Sequence, residues 1–224
     1  IGGNYNDTIT GNDLANRLEG GNGTDTLSGG LGNDTLNGDT GNDVLKGSYG
    51  FDSLNGGDGD DLLYGQDGSD TLNGDNGNDI LDGGAGNDNL SGGYGSDTYR
   101  FGKGSGQDTI NNAAYNDPNA VDIISLTELN AADVTLRRSG NDLMIYVNGT
   151  NDSLRVSAYF NGDGISDYGY AVDRIRFSDG NKYSFADVVA HIDLSADIPG
   201  QTISGTNIAD KLIGSAGGDT LYGG

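Results

Sequence analysis

Aspartate recurs at every ninth residue through the first hundred residues of the chain. Counting from Gly2, eleven consecutive nonapeptides begin with glycine, and ten of them carry aspartate at their sixth position. Carboxylates are hard ligands that suit calcium better than zinc or copper, and the chain has no cysteine and a single histidine. The sixth-position residues are Asp7, Asp25, Asp34, Asp43, Asp52, Asp61, Asp70, Asp79, Asp88 and Asp97, with Asn16 in the second unit.

Other chemistry finds little support in the sequence. The single histidine, His191, excludes an HExxH zinc site, makes a histidine-based triad improbable and is interpreted as a structural surface residue. The glycine-rich stretch 102–106 fits neither a P-loop nor a dinucleotide fingerprint. Asp163 and Asp167 could bind a cation, although a solvated turn is favoured. Carboxylate pairs are abundant, but glycosidase chemistry also needs an apolar or aromatic cleft, and the chain has no tryptophan. We therefore predict no active site.

Composition narrows the class of protein further. The 224 residues carry a formal net charge of −23, so phosphate repulsion makes nucleic-acid binding very unfavourable. Glycine accounts for 42 residues and hydrophobic residues for only 33%, which is close to the composition of disordered chains. A disordered linker has no cause to keep aspartate and leucine in phase, so the pattern favours a folded, metal-bound array. No apolar run is long enough for a membrane-spanning helix.

The elements that position these aspartates follow from one nonapeptide. Glycines at positions 1, 2 and 4 permit a tight turn. Positions 6 to 9 are predicted to form a short strand in which 6 and 8 face inward and 7 and 9 face outward. Position 8 is Ile9, then nine leucines from Leu18 to Leu90, then Tyr99. A unit cannot bury one leucine alone, so the units must stack as a solenoid, and the inward carboxylates are tolerable only if they share cations.

These units resemble the GGxGxDxUx repeats of the RTX, or haemolysin-type calcium-binding, family over residues 2–101. The resemblance implies a right-handed parallel β-roll with two nonapeptides per coil and calcium between turns two repeats apart. One edge would then pair Asp7, Asp25, Asp43, Asp61, Asp79 and Asp97, and the other Asp34, Asp52, Asp70 and Asp88. Roughly eight to ten Ca²⁺ ions would cancel most of the charge. Leu14 and Asn16 depart from the motif at the N-terminal end.

The same resemblance implies that backbone carbonyls of the glycine turns complete each calcium site. The predicted carbonyl ligands are those of Gly20, Asn22, Gly29, Leu31, Gly38, Thr40, Gly47, Tyr49, Gly56, Asp58, Gly65, Asp67, Gly74, Asn76, Gly83 and Ala85. After the regular repeats, "SDTYRFGKGSGQDTI" (96–110) breaks the period but still places Asp108 at a sixth position. We predict that Asp108 completes the edge that ends at Asp88.

Residues 111 to 195 show a different pattern, with less glycine and more apolar alternation. Strands are predicted at 142–147, 153–160 and 173–180, and a short helix at 185–192 capped by Ser184. The stretches "DTYRF", "DVTLRRSGNDLMIY" and "DRIRFSDG" resemble the region after the repeats in RTX cytolysins and iron-regulated RTX exoproteins. This region is expected to close the open end of the roll.

The repeat returns near the end of the chain, where 205–213 and 214–222 place Asp210 and Asp219 at sixth positions. Both termini cut through repeats, so we expect an internal piece of a larger protein. The expected fold is all-β: a calcium-bound right-handed parallel β-roll, a β-rich capping domain and the start of a second roll. The expected divisions are 1–101, 102–195 and 196–224.

The resemblance also implies a function. It predicts a non-catalytic module of a secreted Gram-negative protein, exported by a type I secretion apparatus and folded outside the cell by calcium. The alternative is a calcium-stiffened spacer or adhesin segment, which could face a host or cell-surface target. Ice binding, a third possibility, is rejected because position 3 carries no regular row of threonine.

Overall fold

The computed structural model describes residues 1–111, 120–160 and 172–192, together with the backbone of two short strands, Thr202–Ser204 and Thr220–Tyr222. The repeats form a solenoid of short parallel strands, as predicted. These strands are β1 (Thr8–Thr10), β2 (Arg17–Asn22), β3 (Thr26–Leu31), β4 (Thr35–Thr40), β5 (Val44–Tyr49), β6 (Ser53–Asp58), β7 (Leu62–Asp67), β8 (Thr71–Asn76), β9 (Ile80–Ala85), β10 (Asn89–Tyr94) and β11 (Thr98–Phe101).

Each full repeat strand runs from position 7 of one nonapeptide to position 3 of the next. The prediction of a strand over positions 6 to 9 was therefore wrong in its boundaries, although positions 6 and 8 do face inward. The glycines at positions 1 and 2 lie inside the strand, and the turn is confined to the few residues that follow. Position 2 has a positive φ, for example 108° at Gly57, which lets the strand twist before the turn.

Consecutive strands lie on opposite sheets, so one coil takes two nonapeptides. Residue i pairs with residue i+18, as in Leu27 with Leu45 on one sheet and Leu36 with Leu54 on the other. The odd sheet has the order β1-β3-β5-β7-β9-β11 and the even sheet the order β2-β4-β6-β8-β10. This register places equivalent positions of every second repeat directly above one another.

The core lies between the two sheets and consists of two files of leucine. All nine position-8 leucines are buried, and Leu27, Leu45 and Leu63 have no exposed surface. Tyr99 and Ile110 continue the two files after the last leucine and are equally buried. Because one leucine is the only fully buried apolar side chain of a regular repeat, each coil depends on its neighbours for its hydrophobic contacts.

Strands from the region after the repeats extend both sheets. They are β12 (Gln107–Ile110), β13 (Ile123–Leu126), β14 (Val134–Ser139), β15 (Asp142–Val147), β16 (Ser153–Val156), β17 (Arg174–Phe177) and β18 (Lys182–Ser184). Strands β13 and β17 follow β11 in the odd sheet, and β12 and β16 follow β10 in the even sheet, all in parallel. Strands β14, β15 and β18 are antiparallel. Both sheets cross the predicted boundary at residue 101, so the division into separate units stays a prediction.

A short helix, α1 (Phe185–His191), packs beside the last strands and ends one residue before the predicted limit. Ser184 caps it as predicted: its hydroxyl accepts from the Asp187 N–H, and the Asp187 carboxylate accepts from the Ser184 N–H. Phe160 and Phe185 contact the buried ring of Tyr159. The predicted strand over 142–147 agrees with β15, while 153–160 and 173–180 shorten to β16 and β17.

No helix in the described part of the chain is long and apolar enough to cross a membrane. The two remaining strands are β19 (Thr202–Ser204) and β20 (Thr220–Tyr222), which pair in parallel at a separation of 18 residues. That separation matches the repeat register, as expected for a returning array. Asp210 and Asp219 lie outside the described residues, as do Asp163 and Asp167.

Candidate metal centre

The sixth-position aspartates form two continuous ladders inside the turns of the solenoid. From Asp25 to Asp108 these side chains are at most 3% exposed. In each ladder, Oδ1 of one aspartate accepts a hydrogen bond from the backbone N–H of the sixth-position residue in the preceding coil, at 2.6 to 2.9 Å. The N–H of Asp43, for example, donates to Asp61 Oδ1 at 2.7 Å. One oxygen of each carboxylate thus holds two coils together.

The other carboxylate oxygen of nine aspartates is buried and has no hydrogen-bond partner. These atoms are the Oδ2 atoms of Asp25, Asp34, Asp43, Asp52, Asp61, Asp70, Asp79, Asp88 and Asp97. A buried polar oxygen without a partner is costly, and a buried charge without one more so. The regular recurrence of the same atom in nine consecutive nonapeptides indicates that a cation is the missing partner.

The position-1 glycines shape the space around these oxygens. A Cβ at Gly38 would overlap Asp43 Oδ2 and the carbonyl oxygen of Gly56 in the next coil, and a Cβ at Gly56 would meet Asp61 Oδ2 and Gly74 O in the same way. A carboxylate oxygen and a carbonyl oxygen therefore converge where any other residue would carry a side chain. This donor set is entirely oxygen, which fits calcium.

The described residues contain no group of three or more acidic or histidine side chains that could hold a metal ion. A cation beside the ladder would therefore take most of its ligands from the backbone. Several third-position carbonyls accept one hydrogen bond from the position-4 N–H of the preceding coil, as in Gly41 N to Asp58 O at 2.7 Å and Gly59 N to Asn76 O at 2.8 Å. A second lone pair stays available on each oxygen. The carbonyl ligands named from the sequence stay a prediction.

Burial and like-charge neighbours disfavour the ionised form of the ladder. Desolvation is the largest cause and the neighbouring carboxylates add to it, while the hydrogen bond from the preceding coil acts in the opposite direction. Together they raise the pKa of Asp43, Asp70 and Asp88 to about 6, that of Asp61 and Asp97 to about 7, and that of Asp79 and Asp108 to about 8. Near neutral pH the metal-free ladder therefore holds protons that a cation would displace.

The ladder extends beyond the predicted residues. As expected, Asp108 accepts from the N–H of Asp88 at 2.9 Å and continues that edge. On the other edge Asp97 N donates to Asp122 Oδ1 at 2.8 Å, and Asp122 N donates to Asp173 Oδ2 at 2.7 Å. Neither Asp122 nor Asp173 was predicted, although each precedes a strand with the pattern Asp-x-Ile.

The two ends of the ladders differ from the central coils. The three atoms nearest to a Cβ at Gly92 all belong to Asp97, whereas at Gly38 and Gly56 a glycine carbonyl oxygen of the next coil is among them. At the N-terminal end, Asp7 Oδ2 accepts a hydrogen bond from the Gly3 N–H and Asn16 Oδ1 accepts one from the Asn12 N–H. The first two units therefore lack the partnerless oxygen that the central coils share.

Two other features singled out from the sequence have structural roles. The glycine-rich stretch 102–106 donates two N–H groups, of Gly104 and Gly106, to the carboxylate of Asp152 at 2.9 and 3.0 Å. The Asp152 carboxylate thereby links the β15–β16 connection to the loop between β11 and β12. These hydrogen bonds lower the pKa of Asp152. His191 is exposed at the end of α1, with its ring stacked on Tyr183 at 4.4 Å.

Family models match most of the described solenoid. The model for the RTX calcium-binding nonapeptide repeat matches residues 1–36, 37–72, 73–110 and 202–224. A second model, for the haemolysin-type calcium binding protein related domain, matches residues 142–187. The repeat matches cover more than half of the chain and contain every sixth-position aspartate from Asp7 to Asp108.

Among curated proteins, the chain is similar to the iron-regulated protein FrpA of Neisseria meningitidis serogroup C. The two are 40% identical over 125 residues, which are 55% of this chain and 10% of FrpA. The chain therefore spans only a small part of the length of that relative.

Two solved structures are also similar to the chain. The AlgE6R3 subunit of the mannuronan C5-epimerase from Azotobacter vinelandii is 26% identical, with 64% of this chain and 82% of that chain covered and a TM-score of 0.36. The extracellular lipase LipA of Serratia marcescens is 18% identical, with 77% and 39% covered and a TM-score of 0.27.

Proposed function

Because this chain belongs to the RTX family of calcium-binding nonapeptide repeat proteins, we propose that it is a calcium-induced folding module without catalysis of its own. The main support for the proposal is the set of nine buried Oδ2 atoms in the two aspartate ladders that have no hydrogen-bond partner. In the absence of calcium these oxygens must be protonated or left charged in a poorly solvated place. Calcium removes that penalty only in the stacked state, so binding free energy becomes folding free energy.

The number of ions follows from the ladder. Seven intervals between coils, those of Asp25, Asp34, Asp43, Asp52, Asp61, Asp70 and Asp79, combine a partnerless Oδ2 with a glycine carbonyl, and each is a place for one ion. We propose roughly eight to ten Ca²⁺, a number that also offsets most of the net charge of −23. The further ions would involve the remaining ladder residues Asp7, Asp88, Asp97 and Asp108, and Asp210 and Asp219 would add to them.

Folding that requires calcium suits a protein that must cross the cell envelope before it folds. In low cytosolic calcium the acidic, glycine-rich chain would stay expanded and could thread a type I secretion apparatus. Outside the cell, millimolar calcium would saturate sites of roughly 10⁻⁴ to 10⁻³ M affinity and fold the module. Because a folded solenoid cannot slip back, folding would also make export directional. We propose on this basis that the protein is secreted from a Gram-negative bacterium.

The test is a calcium titration of the 224-residue chain followed by far-ultraviolet circular dichroism, from EGTA to about 10 mM calcium with magnesium as the control. We expect a cooperative gain of β-structure that requires calcium. A spectrum that is already β-rich in EGTA and unchanged by calcium would overturn the folding-switch proposal.

A second candidate, a rigid spacer or adhesin segment, is favoured by the continuity of the two sheets. Both sheets run from the first repeats through β16 and β17 without a break in register. A rod of this kind would hold other parts of a larger protein apart. The same titration distinguishes the two roles, since a spacer that folds without calcium needs no external trigger.

A further inference from the structure

A polar groove runs along the outer face of the even sheet, away from the aspartate ladders. Its volume is about 630 Å³, which is within the usual range for ligand sites. Eleven residues line this groove, which we call the asparagine groove: Asn37, Asp39, Asn55, Gly57, Asp58, Asn73, Asp75, Asn76, Ser91, Gly93 and Tyr94. All of them lie on β4, β6, β8 and β10, so the groove crosses four coils.

The register of the sheet explains the shape of the groove. Position 9 supplies one wall, where Asn37, Asn55 and Asn73 stand directly above one another. Position 3 supplies the opposite wall, with Asp58, Asn76 and Tyr94 in register. Position 2 lies between them and alternates between aspartate and glycine, so that Gly57 and Gly93 leave open floor beside the side chains of Asp39 and Asp75.

The side chains of the groove are held in place by hydrogen bonds to one another. The amide of Asn73 donates to Asp75 Oδ1 at 2.6 Å, and the amide of Asn55 donates to the other oxygen of the same carboxylate. Along the opposite wall, Asn76 Nδ2 donates to Asp58 Oδ1 at 2.8 Å. Each asparagine keeps a carbonyl acceptor and a second N–H for another partner. The groove therefore presents oriented donors and acceptors at each coil.

Two of the groove residues occupy a backbone conformation that favours glycine. Asp39 and Asp75 have φ values of 72° and 71°, whereas Gly21, Gly57 and Gly93 hold the same position in the neighbouring coils of the sheet. Glycine fits this position without strain, so the aspartates are not required by the fold. Strained residues of this kind concentrate at functional sites.

We propose that the asparagine groove binds a linear neutral polysaccharide. Sugar hydroxyls both donate and accept, which matches alternating amide and carboxylate groups. The lining contains three carboxylates and no lysine or arginine, so an anionic ligand would be repelled. Tyr94 is 48% exposed at one end and offers an aromatic face to the apolar side of a sugar ring.

The length of the groove favours a polymer over a single sugar. Equivalent groups recur at the strand spacing of about 4.7–4.9 Å across four coils, so a chain of repeated sugar units can make the same contacts several times. Repeated weak contacts along one chain raise the overall affinity. The groove requires the stacked solenoid but not that calcium be the trigger of folding, because none of the groove residues is a sixth-position aspartate.

The test is affinity electrophoresis of the calcium-loaded 224-residue chain in native gels. The gels contain one neutral polysaccharide each, a β-linked glucan, an α-linked glucan or a galactomannan, and hyaluronan, which calcium does not gel, serves as the acidic control. The mobility of each protein is compared with its mobility in a gel without polysaccharide, so that binding is read as retardation. We expect at least one neutral polymer to slow the protein and hyaluronan to leave its mobility unchanged.

Two variant pairs make the test specific. Asp39→Gly with Asp75→Gly removes the groove carboxylates, and we expect at least a ten-fold loss of affinity with an unchanged circular dichroism spectrum. Ser48→Gly with Gln66→Gly is the matched control, because these residues hold position 2 on the opposite sheet, also at positive φ. Asn73→Ala should weaken binding without any change of backbone.

Three results would overturn the proposal. They are the absence of retardation by all three neutral polymers, equal retardation by hyaluronan, and an equal loss of binding in the Ser48→Gly, Gln66→Gly control. If the chain proves to fold without calcium, the proposed function fails but these three results can still be obtained. The reason is that the electrophoresis is done on protein whose β-structure has been checked directly.

Discussion

Replacing Asp61 by asparagine should have opposite effects on stability with and without calcium. Asp61 is 1% exposed in the middle of its ladder, and its Oδ2 has no partner. Burial raises its pKa from 3.8 to about 7, so keeping it ionised at pH 8 costs at most about 4 kcal/mol at about 1.4 kcal/mol per pKa unit. Asparagine keeps the acceptor for the Asp43 N–H and removes that charge. We therefore expect the metal-free solenoid to gain up to this amount.

In calcium the same substitution removes a ligand. Taking away one member of a buried ion pair costs about 3–5 kcal/mol, and we expect a loss of that order together with fewer bound ions. The assay is circular dichroism. In EGTA the gain is read as β-structure that the unsubstituted chain lacks, and in calcium the loss is read from urea unfolding, with the ion count from isothermal titration calorimetry.

The matched control is Asp60→Asn, which removes one carboxylate from the adjacent exposed position, where Oδ1 accepts from the Asn78 N–H. This variant should change stability little in either condition, since an exposed charge is well solvated. If Asp61→Asn behaved like Asp60→Asn in both EGTA and calcium, the assignment of the ladder as the metal site would be refuted.

Four further predictions concern the same framework. Gly56→Ala should destabilise the calcium-loaded protein by about 1–3 kcal/mol in thermal unfolding, because its Cβ would meet Asp61 Oδ2 and a carbonyl oxygen. The control is Gly3→Ala, which should have no measurable effect because the space around its Cβ is open. Leu63→Ala should cost about 2–5 kcal/mol in urea unfolding, whereas Leu31→Ala, at a 45% exposed side chain, should cost far less. Because folding raises the pKa of several buried ladder aspartates from 3.8 to about 6 to 8, β-structure of the metal-free chain, followed by circular dichroism, should decrease as pH rises from about 4 to about 8. Calcium affinity measured by titration should fall as pH drops through about 8 to 6, because protons then compete for the same carboxylates. Asp152→Ala should speed amide hydrogen exchange at Gly104 and Gly106, which donate to its carboxylate, and unchanged protection there would contradict the linking role.

The regular part of the solenoid could be predicted because the nine-residue repeat determines which side chains lie on the inner and outer faces of each strand. Aspartate and leucine two residues apart must point the same way, which places the ladder beside the core. The strand boundaries could not be predicted, since glycine at positions 1 and 2 normally ends a strand. Here the next coil approaches so closely at positions such as Gly38 that only glycine can continue it.

The extension of the ladder escaped prediction for a different reason. Asp122 and Asp173 follow their predecessors after 25 and 51 residues instead of 18, so no fixed period reveals them. Insertions in the turn leave the strand register intact, because register is set by hydrogen bonds between coils. The groove was equally hidden, since positions 2 and 9 vary from repeat to repeat and acquire meaning only when every second repeat is aligned, as in Asn37 above Asn55.

The pairing of each strand with the one 18 residues away has a mechanical consequence. Tension applied along the stack would load the hydrogen bonds of the terminal coil first, since neighbouring coils are joined only along that direction. The coil would peel away and expose the next, and each release would add 18 residues, or about 60 Å of contour length at about 3.3–3.6 Å per residue. Under load the protein would therefore lengthen in many small, equal steps, and would dissipate energy gradually where a globular domain gives way in a single rupture.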